Sequence, residues 1–513
     1  MKRKSPNVIL IVMDTVRADH LSCYGHHRRT TPNIDDLARH GVLYENAFST
    51  ATWSPPSHAS IFTGKYPSHH KTLGRSVYLG KENRTLADIL ESKGYRTMGV
   101  SNCSLVGLGT GFDSGFERFV EPRNYARVLP KEFRMKASTV SMLLESLFHS
   151  PQHFIRDLIF GPDQYNALTN DIIKSFIRES ADSSPFFVFI NYFNCHAPYD
   201  PPRPFKGKFC DGFVEPRLFI MEFFLERAFG KTGEKLLNRN LDAMKLKRVT
   251  GSSAARFSYM AKELQISKEE WEIVESWYDG EIAYLDHCIN ELVTFLREEG
   301  LFDNTILVIT ADHGENFGEH GLAGHHFGLY DSVLHVPLIM SCPAKIPEGR
   351  LSQIVSTIDI LPTVISLCDL NAQEEIQGRK LDPFSEQKVH EFVCAECGES
   401  VTEWALSFGG QIVSAEALAI GSKVRDIDIG SKGIRNQEFK YILAANGREE
   451  LYNIAEDPTE EWNIIDEHRT EAKRLRRQLE KTLDIAYFGP GAVPYDDQER
   501  TEIAKRLRAL GYI

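Results

Sequence analysis

Residues 7–13 (NVILIVM) form an unbroken apolar run, rich in β-branched side chains, that stops at Asp14. Such a run has no polar face. It suits a strand covered on both sides, as in a parallel sheet, rather than a half-exposed strand of alternating pattern. The same character returns at 185–191 (PFFVFIN), 305–310 (TILVIT) and 336–340 (VPLIM). Helical patterns lie between these runs. One follows Pro32 over 33–40. A second covers 85–93, with Thr85 as cap and Gly94 as stop, and the longest covers 271–299 and ends at Gly300. Alternating strands and helices imply an α/β fold, a mostly parallel central sheet with helices on both faces. Ligands in such sheets sit beyond the carboxyl ends of the strands. Asp14 and Asp312 both lie just past a predicted strand end.

Two stretches interrupt the alternation, 121–163 and 201–268, and are expected to be helical insertions over the ligand-binding edge. After residue 381 the pattern changes. Short strands are expected at 388–393 and 440–443 and a charged amphipathic helix at 467–483. The expected organisation is a catalytic α/β domain over 1–385, a smaller α+β subdomain over 386–483 and a tail over 484–513.

The formal charge of −12 excludes a strongly basic face, so nucleic-acid binding is not expected. An anionic substrate stays open, because one buried divalent cation reverses the local field. The basic first residues precede an apolar run that is short, ends in Asp14 and lacks a small-residue cleavage site, so it reads as a strand and not a signal peptide. No run is long enough to span a bilayer. The nine cysteines form no metal-binding array, and Cys394 and Cys397 make a solitary C-x-x-C. Reduced thiols in a cytoplasmic protein are the expectation.

Four constellations carry polar chemistry. Asp14, in M-D-T-V-R-A-D-H-L-S, is well placed to hold a divalent cation, although an Asp after a strand is often only a helix cap. Residues 311–321 (ADHGENFGEHG) follow a strand directly. Asp312 and His313 offer an oxygen and a nitrogen ligand on one turn, and such a polar cluster packs poorly. Residues 53–64 (WSPPSHASIFTG) place Pro55-Pro56 before a helix expected to start at Ser57, with Ser57 as its cap. Helix amides suit an anion, and Ser54 would face it, unless the segment is a plain Ser-Pro turn. His196 in N-C-H-A-P-Y, and His325-His326 in G-H-H-F-G, follow loops and could donate to substrate oxygens or act as general acids.

Taken together, these segments resemble the sulfatase family of the alkaline-phosphatase superfamily over nearly the full length. Residues 7–14 are similar to its opening strand and metal Asp, 30–41 (TTPNIDDLARHG) to its first helix and 54–64 to its C/S-x-P-S-R signature. His196 matches a substrate-contacting His, A-D-H-G-E the second metal motif, and 359–363 (DILPT) and 450–460 (ELYNIAEDPTE) later landmarks. The resemblance implies a sulfuric ester hydrolase acting on a small anionic ester through a covalent intermediate on Ser54, itself a serine or its oxidised form, formylglycine. It implies one divalent metal, Ca²⁺ ahead of Mg²⁺, Mn²⁺ or Zn²⁺, on Asp14, Asp312, His313 and Ser54. His58, His196 and His326 then stabilise the ester oxygens or protonate the leaving alcohol.

The sequence departs from that pattern in four places. Thr15 follows Asp14 where the family has a second Asp, and His58 replaces the signature Arg. Asn102 and Ser104 replace a Lys-x-His pair, and His326 aligns with a late Lys. D-T-V-R-A-D-H-L-S and D-H-G-E-N-F-G-E-H-G are also similar to motifs of phosphoethanolamine transferases and lipoteichoic-acid synthases. The alternative functions are therefore a phosphodiesterase, phosphatase or phosphotransferase using unmodified Ser54, and a binding protein that keeps the fold without the activity.

Overall fold

The opening run is strand β1 (Asn7–Met13), and every residue in it is buried. The computed structural model describes residues 5–74, 76–122, 165–210, 246, 253–371, 375–385, 387–398, 429–488 and 506. β1 sits inside an eight-stranded sheet with β2 (Val42–Phe48), β3 (Arg96–Ser101), β4 (Arg118–Val120), β5 (Phe186–Tyr192), β6 (Thr305–Ala311), β9 (Leu338–Ser341) and β10 (Gly349–Ser356). The order is β10-β2-β9-β6-β1-β5-β3-β4. β9 runs antiparallel to β2 and β6, and the other neighbouring pairs are parallel. A short ribbon of β7 (Asn316–Phe317) and β8 (Ala323–Gly324) follows β6.

Alternate residues of β1 enter two cores. Val8, Leu10 and Val12 pack with residues of the helices Ser54–Thr63, Leu86–Glu91 and Ile360–Leu367. Ile9, Ile11 and Met13 pack with the helices Pro32–Arg39, Asn166–Ser180 and Lys268–Glu298. Helices on both faces are why the strand needs no polar side. Capping boxes at Thr85/Asp88 and Ser267/Glu270 start two of these helices. β9 begins two residues later than 336–340 predicts, since Pro337 has no N–H for the ladder.

A second, antiparallel sheet has the order β11-β12-β13-β14, made of β11 (Val393–Cys397), β12 (Ser431–Arg435), β13 (Phe439–Ala444) and β14 (Glu449–Asn453). The amphipathic helix Arg469–Thr482 covers it through Ala472, Leu475 and Leu479. The strand expected at 388–393 is instead β11. Residues before it turn back to the short helical turn after β10, where His390 Nε2 lies 2.9 Å from Asp359. The Glu396 N–H donates to the Thr50 carbonyl (2.8 Å), so the small sheet abuts the chain that leads into Ser54. Of the expected insertions, 123–163 lies outside the described residues. From 201–268 the described parts are 201–210, 246 and 253–268. Among the described residues no helix is long and apolar enough to cross a membrane.

Candidate active site

The three central strands end in the polar cluster. Met13 is in register with Tyr192 of β5 and Ala311 of β6, so Asp14 and Asp312 leave the sheet side by side. Both are fully buried, as are Ser54, His58 and His313. Thr15, which follows Asp14, has φ +59°, a strained value for a β-branched residue. That conformation aims its N–H at Asp312 Oδ1 (3.1 Å) and turns its hydroxyl away, toward the Cys195 carbonyl. The position therefore supplies a backbone donor where the family's pattern has a second carboxylate.

The helix expected to begin at Ser57 begins at Ser54, with Pro55-Pro56 in its first turn and Trp53 extended before it. Proline tolerates those positions because the first helical N–H groups have no intrahelical partner. Ser57 is consequently not a cap. Its hydroxyl donates to the Asp312 carbonyl (2.6 Å), a bond that Ser49 duplicates. Ser54 Oγ lies 3.3 Å from Asp14 Oδ2 and 3.5 Å from His313 Nε2.

These atoms fit a divalent cation. One atom each from Asp14, Asp312 and His313 lies within 4.8 Å of the others. Asp14 Oδ1 and Asp312 Oδ2 are buried without a hydrogen-bond donor. Burial, and then the Asp312 charge, push the Asp14 carboxyl well above its ordinary value. His313 Nδ1–H donates to the Gly314 carbonyl (2.9 Å), which leaves Nε2 with its lone pair toward the carboxylates. One other described group, His20, His26 and Asp279, has metal-like spacing. There the carboxylate oxygens are already engaged by His20 (2.7 Å), His26 (3.0 Å) and Arg28 (2.7 Å), so it is complete as a hydrogen-bonded network.

Around the cluster stand the histidines. His58 Nδ1–H donates to the Ser54 carbonyl (2.9 Å) and its Nε2 accepts from Asn191 Nδ2 (3.2 Å), so both ring nitrogens are engaged. Burial pushes it below its ordinary value. His196 stacks on Phe193, with ring centroids 4.3 Å apart. His325 lies 4.4 Å from His313 and 5.2 Å from His196 by ring centroids, and its Nδ1 is 3.1 Å from Glu315 Oε1. His326 is 4.5 Å from His325 and 6.1 Å from Trp53. Burial holds His196, His325 and His326 well below the ordinary value. The fold thus gathers Ser54, His58, His196, His326, Asp14, Asp312 and His313 in one place. Asn191, Glu315 and Tyr199, whose hydroxyl donates to Glu315 (3.1 Å), also belong to it. Glu315 was visible in A-D-H-G-E, whereas Asn191 looked like the last residue of a strand.

The sulfatase sequence profile matches residues 6–370. The chain belongs to the sulfatase family. An N-acetylglucosamine-6-O-sulfatase of Bacteroides thetaiotaomicron is 25% identical over 93% of this chain and 86% of its own length. An arylsulfatase of Clostridium perfringens is 23% identical over 93% of this chain and 94% of its own. The phosphonate monoester hydrolase of Agrobacterium radiobacter shares the fold, with a TM-score of 0.66 and 21% identity over 93% of this chain and 94% of that one.

Proposed function

We propose that this sulfatase-family chain hydrolyses the sulfate ester of a small anionic substrate through a covalent intermediate on Ser54. The observation that carries this reading is Ser54 Oγ beside Asp14 Oδ2 (3.3 Å) and His313 Nε2 (3.5 Å), at the first residue of a proline-stiffened helix. Asp14, Asp312, His313 and Ser54 are the residues that would hold a divalent cation. When bound there, the cation supplies positive charge that lowers the pKa of an adjacent hydroxyl and offsets the charge of the ester.

The chain's own groups do the rest. Ser54 Oγ, its proton facing Asp14 Oδ2, attacks the sulfur, and the bond from sulfur to the alcohol oxygen breaks. His326 enters neutral and donates an N–H to an ester oxygen, whereas His196 gives its Nδ1–H to the Ala197 carbonyl (2.8 Å) and keeps the lone pair on Nε2. An anion bound against His196 raises its basicity, so Nε2 takes up a proton from solvent as the substrate binds and passes that proton to the leaving alcohol oxygen, while the Ser54 proton goes to Asp14 Oδ2. Water then cleaves the serine–sulfur bond. A formylglycine at position 54 would expel sulfate with its second hydroxyl instead. With both nitrogens engaged, His58 is a positioning residue that fixes the Ser54 carbonyl.

A phosphorus ester is the second reading. His58, in place of the signature Arg, favours an unmodified Ser54, and the Agrobacterium structure of the same fold is named a phosphonate monoester hydrolase. The test offers aryl sulfate, aryl phosphate and phosphodiester substrates to wild type and Ser54→Ala, with a mass measurement of the peptide containing residue 54. Conversion to formylglycine lowers that mass by about 2 Da. Sulfate turnover by wild type alone supports the first reading, and turnover confined to phosphorus esters supports the second. Equal rates for the two proteins remove Ser54 from the chemistry. None of the nine cysteines is disulfide-bonded, which supports a reducing compartment such as the cytoplasm.

A further inference from the structure

The cluster around Ser54 has little fixed positive charge. Asp14, Asp312 and Glu315 are buried carboxyl groups, and the imidazoles of His58, His196, His325 and His326 are all held toward neutrality by burial. Arg17, a guanidinium at this edge, is bound by Asp19 (2.7 Å) and Glu319 (2.6 Å). A cation held by Asp14, Asp312 and His313 would supply positive charge to an entering oxyanion from that cluster alone.

Arg256 is a second guanidinium at the site, beside Gly324 and Glu315. It lies on the helix Ser253–Met260, within the stretch expected to border the substrate edge, and is 7% exposed. Its guanidinium rests against Gly324. A Cβ built on that glycine would lie 3.1 Å from Arg256 Nη1 and 3.7 Å from Glu315 Oε1. Gly324 has φ +86°, so the residue before His325 and His326 is glycine both for its backbone and for the room it leaves the guanidinium. The Arg256 charge is felt across the site. It favours the ionised form of Glu315 and disfavours the protonated forms of His196, His325 and His326.

We propose that Arg256 is the fixed cation that binds an oxyanion of the substrate, at the Gly324–Glu315 side of the site. This rests on the ester-hydrolase reading above. A guanidinium presents a planar fork of donors suited to sulfate, phosphate or carboxylate, and it cannot be neutralised at working pH. The competing role is a structural counter-charge for Glu315, which would move stability and not substrate binding.

Arg256→Gln and Arg256→Lys in the full chain separate the two. The substrates are nitrophenyl sulfate, nitrophenyl phosphate and the same esters carrying a ring carboxylate, with inorganic sulfate and phosphate as competitive inhibitors. The expected result for Arg256→Gln is a KM raised about ten-fold or more, the usual scale for losing a charge-assisted hydrogen bond, with kcat little changed. Arg256→Lys should fall between. A KM effect on all esters, with weaker inhibition by the free anions, assigns the oxyanion to the transferred group. An effect confined to the carboxylated esters assigns it to the alcohol portion. Unchanged KM and inhibition in Arg256→Gln, with only the melting temperature or kcat lowered, overturns the proposal. A wild type that turns over no ester and is inhibited or heat-stabilised by neither anion overturns the ester-hydrolase reading itself.

Discussion

The side-chain amide of Asn191 lies 3.2 Å from Nε2 of His58. The same nitrogen lies 3.3 Å from Asp14 Oδ2. One amide thus fixes the tautomer of His58 and the orientation of Asp14, and His58 in turn holds the Ser54 carbonyl. Asn191→Leu keeps the volume and removes both donors. Buried partners left unsatisfied cost about 1–3 kcal/mol, and loss of a group that orients a metal ligand costs roughly 10- to 100-fold in activity or metal affinity. Urea unfolding and kcat/KM of the variant measure the two. A change within about 0.5 kcal/mol, with kcat/KM intact, would mean that the amide orients nothing.

Ser54 and Ser57 are one helical turn apart and should respond differently. Ser54→Ala is expected to keep the fold and lose turnover, because no other hydroxyl faces Asp14 Oδ2 and His313 Nε2 among the described residues. Ser57→Ala removes one of two hydroxyl donors to the Asp312 carbonyl. Ser49 remains, so the loss is expected to stay near 1 kcal/mol of stability, with most activity retained. Thermal melts and initial rates of the two variants decide the assignment. Loss of activity in Ser57→Ala with retention in Ser54→Ala would reverse it.

Much of this site was legible because its residues sit where local pattern and chemistry coincide. β1, β5 and β6 are buried on both faces, so each announces itself as a continuous apolar run, and Asp14 and Asp312 are the polar residues that stop two of those runs. Ser57 was misread because Pro55-Pro56 also fits the first turn of a helix that starts earlier. Asn191 and Arg256 were not legible at all. Asn191 meets its partners across 177 and 133 residues of chain, and nothing local distinguishes it from a strand-ending amide. The reversal of β9 within the sheet leaves no mark in its composition, since a strand buried on both faces reads the same in either direction.

Metal removal should expose the repulsion between Asp14 and Asp312. Their donor-less oxygens face a shared space, and burial with mutual repulsion raises the Asp14 carboxyl. Asp14→Asn is therefore expected to stabilise the chelated protein by about 1–3 kcal/mol while abolishing the rise in melting temperature that metal gives wild type. For wild type that rise corresponds to about 3 kcal/mol at a hundred times Kd. The available donors are carboxylate and hydroxyl oxygens with one imidazole, and Thr15 turns its hydroxyl away. Such a set suits Mn²⁺ or Zn²⁺ better than Ca²⁺, which takes six to eight oxygens by rough rule. Melting curves with each ion read out the order without reference to activity. A chelated Asp14→Asn that melts below wild type and still responds to metal would refute the assignment.

Asp286, in the helix Lys268–Glu298, caps the helix Pro32–Arg39 from outside. Its carboxyl accepts from the backbone N–H groups of Ile34 (2.8 Å) and Asn33 (3.1 Å) and from Asn33 Nδ2 (2.6 Å). Those bonds and the helix N-terminus favour the ionised form. Burial opposes them and prevails, with Asp35 adding repulsion, and the carboxyl is pushed up to about 6. The folded value thus lies above the unfolded value of about 3.9, so the folded state holds the proton more tightly. Its contribution to stability is fully present below about pH 4 and is lost as pH rises through 6. The slope approaches 1.4 kcal/mol per pH unit, and the loss across the window is roughly 3 kcal/mol. Asp286→Asn should remove this dependence. Its amide oxygen still accepts both backbone N–H groups, and its nitrogen donates to the Asn33 side chain once that amide flips. Urea unfolding of both proteins from about pH 4 to 7 should show wild type losing up to roughly 3 kcal/mol relative to the variant. Parallel curves would mean that Asp286 is already ionised in the folded protein near pH 4, so that its hydrogen bonds, and not its burial, set its titration.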